Sequence, residues 1–86
     1  MKVEMDPLTL EVGGRLRQRR KTLGIPQEQL AALAGVAVHT LSNLESGKGN
    51  PSLRVLGKLF DCLGLELFVR PRRTAGDGLA SEIETL

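Results

Sequence analysis

The chain has 86 residues, enough for one small domain whose single core is only marginally stable and for which a second copy is a common support. Its aromatic residues are Phe60 and Phe68 alone, so the core must be built from leucine, valine and alanine, and no aromatic platform is available for stacking single-stranded bases. The net charge of +2 conceals a division: residues 1–73 carry 12 basic and 7 acidic side chains, net +5, whereas residues 74–86 carry Asp77, Glu82 and Glu84, net −3, which directs the body rather than the tail toward a polyanion.

Residues 1–8 read as a loosely held arm, because Asp6-Pro7 offers a turn and disfavours helix before it. A first helix is expected from residue 9 to about Leu23, with Val12, Leu16, Arg20 and Leu23 on one side and Gly24 as its stop. Gly13 and Gly14 each weaken it by about 1 kcal/mol relative to alanine, so its first turn is expected to fray or to begin after them.

Pro26 suits the first turn of a second helix that Gly35 ends, and a third is expected from Ala37 to Ser46, ended by Gly47. A polar loop, Gly47 to Pro51, leads to Ser52 as N-cap of a fourth helix reaching Leu63, whose Val55, Leu56, Leu59, Phe60 and Leu63 form a broad apolar stripe. Gly64 closes it. Residues 9–64 therefore form the main domain.

The period then changes. Leu65, Leu67 and Val69 alternate with Glu66, Phe68 and Arg70, which predicts a short strand with no second strand in the chain to pair with. Residues 65–73 are thus expected to be a dimerisation strand, carried by Leu65, Leu67, Phe68 and Val69, that takes its partner from another copy. Residues 74–86 read as a flexible acidic tail. Its large apolar groups, Leu79, Ile83 and Leu86, fall on one face of a short helix and suit a protein partner.

The segment QEQLAALAGVAVHTLSNL carries the chemistry. Counting Gln27 as the first position, Ala31 is fifth and Gly35 ninth, the small residue and the glycine that two helices crossing through a tight turn require. Leu30, Leu33 and Ala34 are expected on the core face of the first helix of the pair, and Leu41 with Leu44 on that of the second. This is the pattern of a helix-turn-helix, whose second helix enters the major groove of duplex DNA by its N-terminal part and outer face.

Ala37, Val38, His39 and Asn43 occupy that outer surface: Ala37 or Val38 suits a thymine methyl, Asn43 an adenine edge, and His39 a purine acceptor or a phosphate. No arginine lies there, so the commonest guanine contact is missing and DNA shape is expected to matter. Phosphate contacts are expected from Gln27 with the free amides at its helix start, from Thr40, and from Lys48 with Asn50 in the following loop. Arg20 and Glu45 sit on inward-facing positions of two helices and are expected to form a partly buried ion pair.

Catalysis, a metal and a cofactor are not expected. His39 and Cys62 are single residues of their kinds, and Gly47-Lys48-Gly49 lacks both the spacing and the preceding strand of a phosphate loop. Cys62 falls within an apolar helical pattern and reads as a small buried hydrophobe in a reducing compartment. With no apolar run of membrane length and no signal peptide, a cytoplasmic protein is expected, nucleoid-associated through its ligand.

The combination LRQRRKTLGIPQEQLAALAGV, TLSNLESGKGNPSL and LGKLFDCLGL, spanning roughly Val12 to Leu65, resembles the lambda-repressor-like, or Xre-type, helix-turn-helix regulators. The resemblance implies an all-α bundle of four to five helices, with DNA-facing roles for Gln27, Val38, His39, Thr40 and Asn43 and a stabilising pair at Arg20 and Glu45. The ending LGLELFVRPR is similar to antitoxins of the HipB type, which implies a homodimer joined by a short C-terminal strand, double-stranded operator DNA, a kinase-like toxin as partner, and repression of the protein's own operon. A stand-alone phage-like or host regulator, and an interaction adaptor without DNA binding, stay open beside it. Ala37 and Pro26 stand where the family often has serine or threonine, and Ala37 leaves the start of the third helix less well capped.

Overall fold

The computed structural model describes residues 6–72, in which four helices are arranged in chain order: α1 Pro7–Thr22, α2 Gln27–Ala34, α3 Val38–Glu45 and α4 Leu53–Leu63. α1 packs on α3 and α4, and α2 packs on the same two helices, so every helix has two neighbours around one core. Six leucines, Leu16, Leu30, Leu41, Leu44, Leu59 and Leu63, are fully buried at its centre, with Ala31, Ala34 and Phe60 around them. Each buried leucine favours the fold by about 1.5–3 kcal/mol over an exposed one.

The helix ends follow from local chemistry. Asp6 accepts a hydrogen bond from the Thr9 amide at 3.0 Å and Pro7 is the first helical residue, so α1 starts earlier than the arm boundary expected at residue 8. Proline is favoured at this position because its missing N–H would lack an intrahelical partner anyway. Pro26, expected inside α2, is instead its extended N-cap residue. Ser52 accepts from the Val55 amide at 3.1 Å and caps α4, whereas Ala37 places no side-chain hydrogen bond on the start of α3.

Three other expectations are corrected. α1 runs without a break through Gly13 and Gly14, because Gly13 is buried where a Cβ would collide with the Leu44 carbonyl oxygen; the weak helix former is the residue that lets α1 reach α3. Leu33 is 62% exposed, and the core face of α2 is Leu30, Ala31 and Ala34. Leu23 also lies outside the core, beyond the last turn of α1.

The described residues contain neither a fifth helix nor a strand: residues 65–72 carry no regular secondary structure. Leu65 is half-buried against its own core and its amide donates to the Phe60 carbonyl at 2.9 Å, while Leu67, Phe68 and Val69 are exposed. An isolated segment has no partner for its backbone groups, which is the physical reason a strand cannot form within one chain here. The tail apolar residues Leu79, Ile83 and Leu86 lie outside the described residues.

Candidate nucleic-acid interface

The turn between α2 and α3 is set by Gly35, whose φ of 71° is left-handed and natural to glycine. The Val36 amide donates to the Ala31 carbonyl at 3.0 Å and the Gly35 amide to Ala32 at 3.2 Å, which closes α2. Val36 then packs against the core and α3 leaves at an angle to α2. With Leu41 and Leu44 buried beneath it, α3 presents Ala37, Val38 and His39 as exposed residues and Thr40, Ser42 and Asn43 as half-exposed ones. The face opposite the core thus carries Ala37, Val38 and the His39 imidazole at its start and amide and hydroxyl groups farther along, with no lysine, arginine or carboxylate.

Beyond α3 the chain turns sharply. Gly47 and Gly49 have φ of 79° and 83°, and the Lys48 amide donates to the Asn43 carbonyl at 2.8 Å. This brings Thr40, Asn43, Lys48, Gly49 and Asn50 around one shallow hollow beside the outer face of α3. The expected phosphate-binding residues of the third helix and the loop therefore share a site, with the Lys48 side chain as its cation.

Gln27, expected at a phosphate, is engaged within the fold. Its Nε2 donates to Glu45 Oε1 at 2.9 Å, while Arg20 Nε and Nη2 donate to Glu45 Oε2 and Oε1 at 2.6 and 2.8 Å. Arg20 Nη1 also donates to the Ile25 carbonyl at 2.8 Å. Arg20 and Glu45 are each 8% exposed, so one bidentate pair joins the end of α1, the start of α2 and the end of α3, and its remaining bonds leave no buried side-chain polar atom unpartnered among the described residues. Burial pushes the Glu45 carboxyl up, but the hydrogen bonds from Arg20 and Gln27 and the charges of Arg20 and Arg17 outweigh it and hold the group below the usual glutamate range. The hydrogen bonds that Arg20 donates to Glu45 lift the guanidinium above its ordinary value against the opposing effect of its own burial.

Two structural residues escaped the reading of the sequence. Gly13 sets the spacing of α1 and α3, and a glycine kept inside a helical pattern was its only available signal. Arg19, one of four basic residues near the end of α1, donates its Nε to the Leu63 carbonyl at 2.9 Å and satisfies the last turn of α4; nothing in the spacing distinguishes it from Arg17 or Lys21.

Two short helices at a glycine turn, the second buried on one face and free on the other, with a basic loop beside it, define a helix-turn-helix domain. The chain belongs to the helix-turn-helix family of DNA-binding regulators, whose model matches residues 16–69. It is similar in structure to the restriction-modification controller protein C.AhdI from Aeromonas hydrophila, with a TM-score of 0.67 and 34% identity over 71% of this chain and 92% of that one. An uncharacterized HTH-type transcriptional regulator of Methanothermobacter thermautotrophicus is 41% identical over 51 residues, covering 59% of this chain and 74% of that protein. Endothelial differentiation-related factor 1 of Homo sapiens is 37% identical over 62 residues, 72% of this chain. The chain spans only 42% of the length of that human relative. No helix among the described residues is long and apolar enough to cross a membrane.

Proposed function

We propose that the protein is a sequence-specific transcriptional repressor that binds double-stranded operator DNA as a homodimer, and that it serves as the antitoxin of a HipA/HipB-like module repressing its own operon. The observation that carries DNA recognition is the solvent-facing outer face of α3, Val38, His39 and Asn43, flanked by the hollow of Thr40, Lys48 and Asn50. Ala37, Val38, His39 and Asn43 read base edges; Gln27, Thr40, Lys48 and Asn50 hold phosphates and fix the register of α3 in the groove. Arg20 and Glu45 keep Gln27 and the end of α3 in a fixed relation, so the helix enters the groove preorganised.

The exposed apolar residues Leu67, Phe68 and Val69 support dimerisation. Two recognition helices then address half-sites about 34 Å apart, one helical turn of DNA. The antitoxin role rests on the likeness of LGLELFVRPR to HipB-type endings, and the tail from Thr74 to Leu86 would carry the toxin contact through Leu79, Ile83 and Leu86. A second reading, a lone regulator without a toxin, is favoured by the similarity to a restriction-modification controller protein.

Titration of the duplex upstream of the protein's own gene against a scrambled duplex, at two salt concentrations, tests the DNA reading. Preference for the native duplex with a steep salt dependence is expected, and no binding to either duplex would leave the interaction adaptor. Co-expression with a kinase-like neighbouring reading frame separates the remaining two: co-purification that is lost on truncation after Arg73 supports the antitoxin, and its absence the lone regulator.

A further inference from the structure

The outer face of α3 carries one group able to change its charge near neutral pH. His39 is the single histidine of the chain, it is exposed in the first turn of α3, and its neighbours on that face, Ala37, Val38, Thr40, Ser42 and Asn43, do not ionise. Histidine is the side chain whose ordinary charge change falls between about pH 5 and pH 8.

The fold places no partner to hold a proton on this ring. α1 and α2 pack against α3. α2 contributes Glu28, exposed in its first turn; α1 contributes Arg17 and Arg20, whose charges act on Glu45 at the other end of α3; the loop after α3 contributes Lys48. Glu45 itself is buried and bonded to Arg20 and Gln27. Neither Glu28 nor Glu45 forms an ion pair with His39 among the described residues. Duplex DNA supplies what the fold does not. Its phosphate oxygens only accept, and a purine presents N7 to the major groove as an acceptor. A neutral imidazole has one donor and one acceptor nitrogen, whereas the imidazolium has two donors and a positive charge. A purine acceptor and a phosphate are therefore both held better by the protonated ring, through bonds roughly twice as strong as neutral ones.

We propose that operator DNA is bound with uptake of one proton per protomer at His39, so that acidification within the neutral range tightens repression and a rise in pH relaxes it. This rests on the DNA-binding reading above and adds a regulator to the same face. The sign follows from linkage: the complex holds the proton more tightly than the free chain, so the gain in affinity is complete at the acid end of the range and is lost as pH rises through the titration of the complex. The fold stays intact over this range, because the Arg20–Glu45 pair is lost only below the unfolded glutamate value of about 4.3. Cysteine thiols and α-amino groups titrate at its alkaline edge, about pH 8, so a variant at position 39 is needed to identify the responsible group.

The test titrates the full-length chain with the duplex upstream of its own gene, at constant ionic strength, from about pH 6 to about pH 8. Affinity should fall roughly three- to ten-fold per protomer over that range, and calorimetry in buffers of different ionisation heat should register proton uptake on binding. His39→Gln, whose amide still donates to the same acceptors but cannot change its charge, should bind equally well at both ends of the range. Lys48→Ala should bind more weakly and keep the pH dependence. A wild-type chain whose affinity does not change with pH, or a His39→Gln chain that keeps the wild-type slope, overturns the proposal and leaves DNA binding standing. Absence of duplex binding at every pH overturns the DNA reading itself, and the proposal with it.

Discussion

Gly13 and Leu44 are in direct main-chain contact: a Cβ at position 13 would overlap the Leu44 carbonyl oxygen, whereas a Cβ at the adjacent Gly14 would meet nothing within 4 Å. Two neighbouring glycines thus have opposite meanings. Gly13→Ala should destabilise the domain by about 1–3 kcal/mol, because α1 must move off α3. Gly14→Ala should stabilise it by about 0.5–1 kcal/mol through better helix formation. Urea midpoints of the two variants check this, and shifts of the same sign would contradict the contact.

Removing one partner of the Arg20–Glu45 pair strands a buried charge, so Arg20→Met should cost about 3–5 kcal/mol. The pH dependence has a definite sign. Glu45 titrates lower in the fold than the unfolded value of about 4.3, so its contribution is complete above that value and is lost as pH falls through the folded one. Chemical unfolding of wild type and Glu45→Gln between neutral and strongly acidic pH should show a steeper acid loss in the wild type. Parallel profiles would mean the carboxylate is not held by its partners.

On the side proposed to face DNA, His39→Ala and Asn43→Ala should each reduce discrimination between native and altered sites by about 1–3 kcal/mol. Lys48→Ala should weaken native and scrambled duplexes alike and lower the salt slope by about one phosphate contact. Binding titrations at several salt concentrations distinguish the two patterns; the reverse assignment would place α3 wrongly in the groove.

The helix caps give a matched pair. Ser52→Ala removes the bond to the Val55 amide and should cost about 1 kcal/mol, while Ala37→Ser adds a cap that α3 lacks and should return a similar amount. Thermal unfolding of the two variants reads both. An Ala37→Ser variant that melts below wild type would show that the turn before α3 cannot place a hydroxyl over the free amides.

Four helices, their glycine stops and the leucine core were legible from periodicity and turn chemistry, because these are local properties repeated along α1 to α4. The outer face of α3 was legible for the same reason: once Leu41 and Leu44 are inward, Val38, His39 and Asn43 have no other place to go. The spacing of the motif already placed Ala31 at the close approach of the two helices, but periodicity did not tell that Leu33 would be exposed, since it lies within reach of the α2 apolar stripe and the outcome depends on where α3 and α4 press. Nor could it separate Gly13 from Gly14, or give Gln27 its bond to Glu45, which lies 18 residues away. Local sequence determined the elements and which residue types face outward; contact distances between helices far apart in the chain decided which glycine is indispensable and which polar side chains meet, because only three-dimensional packing brings those atoms within bonding range.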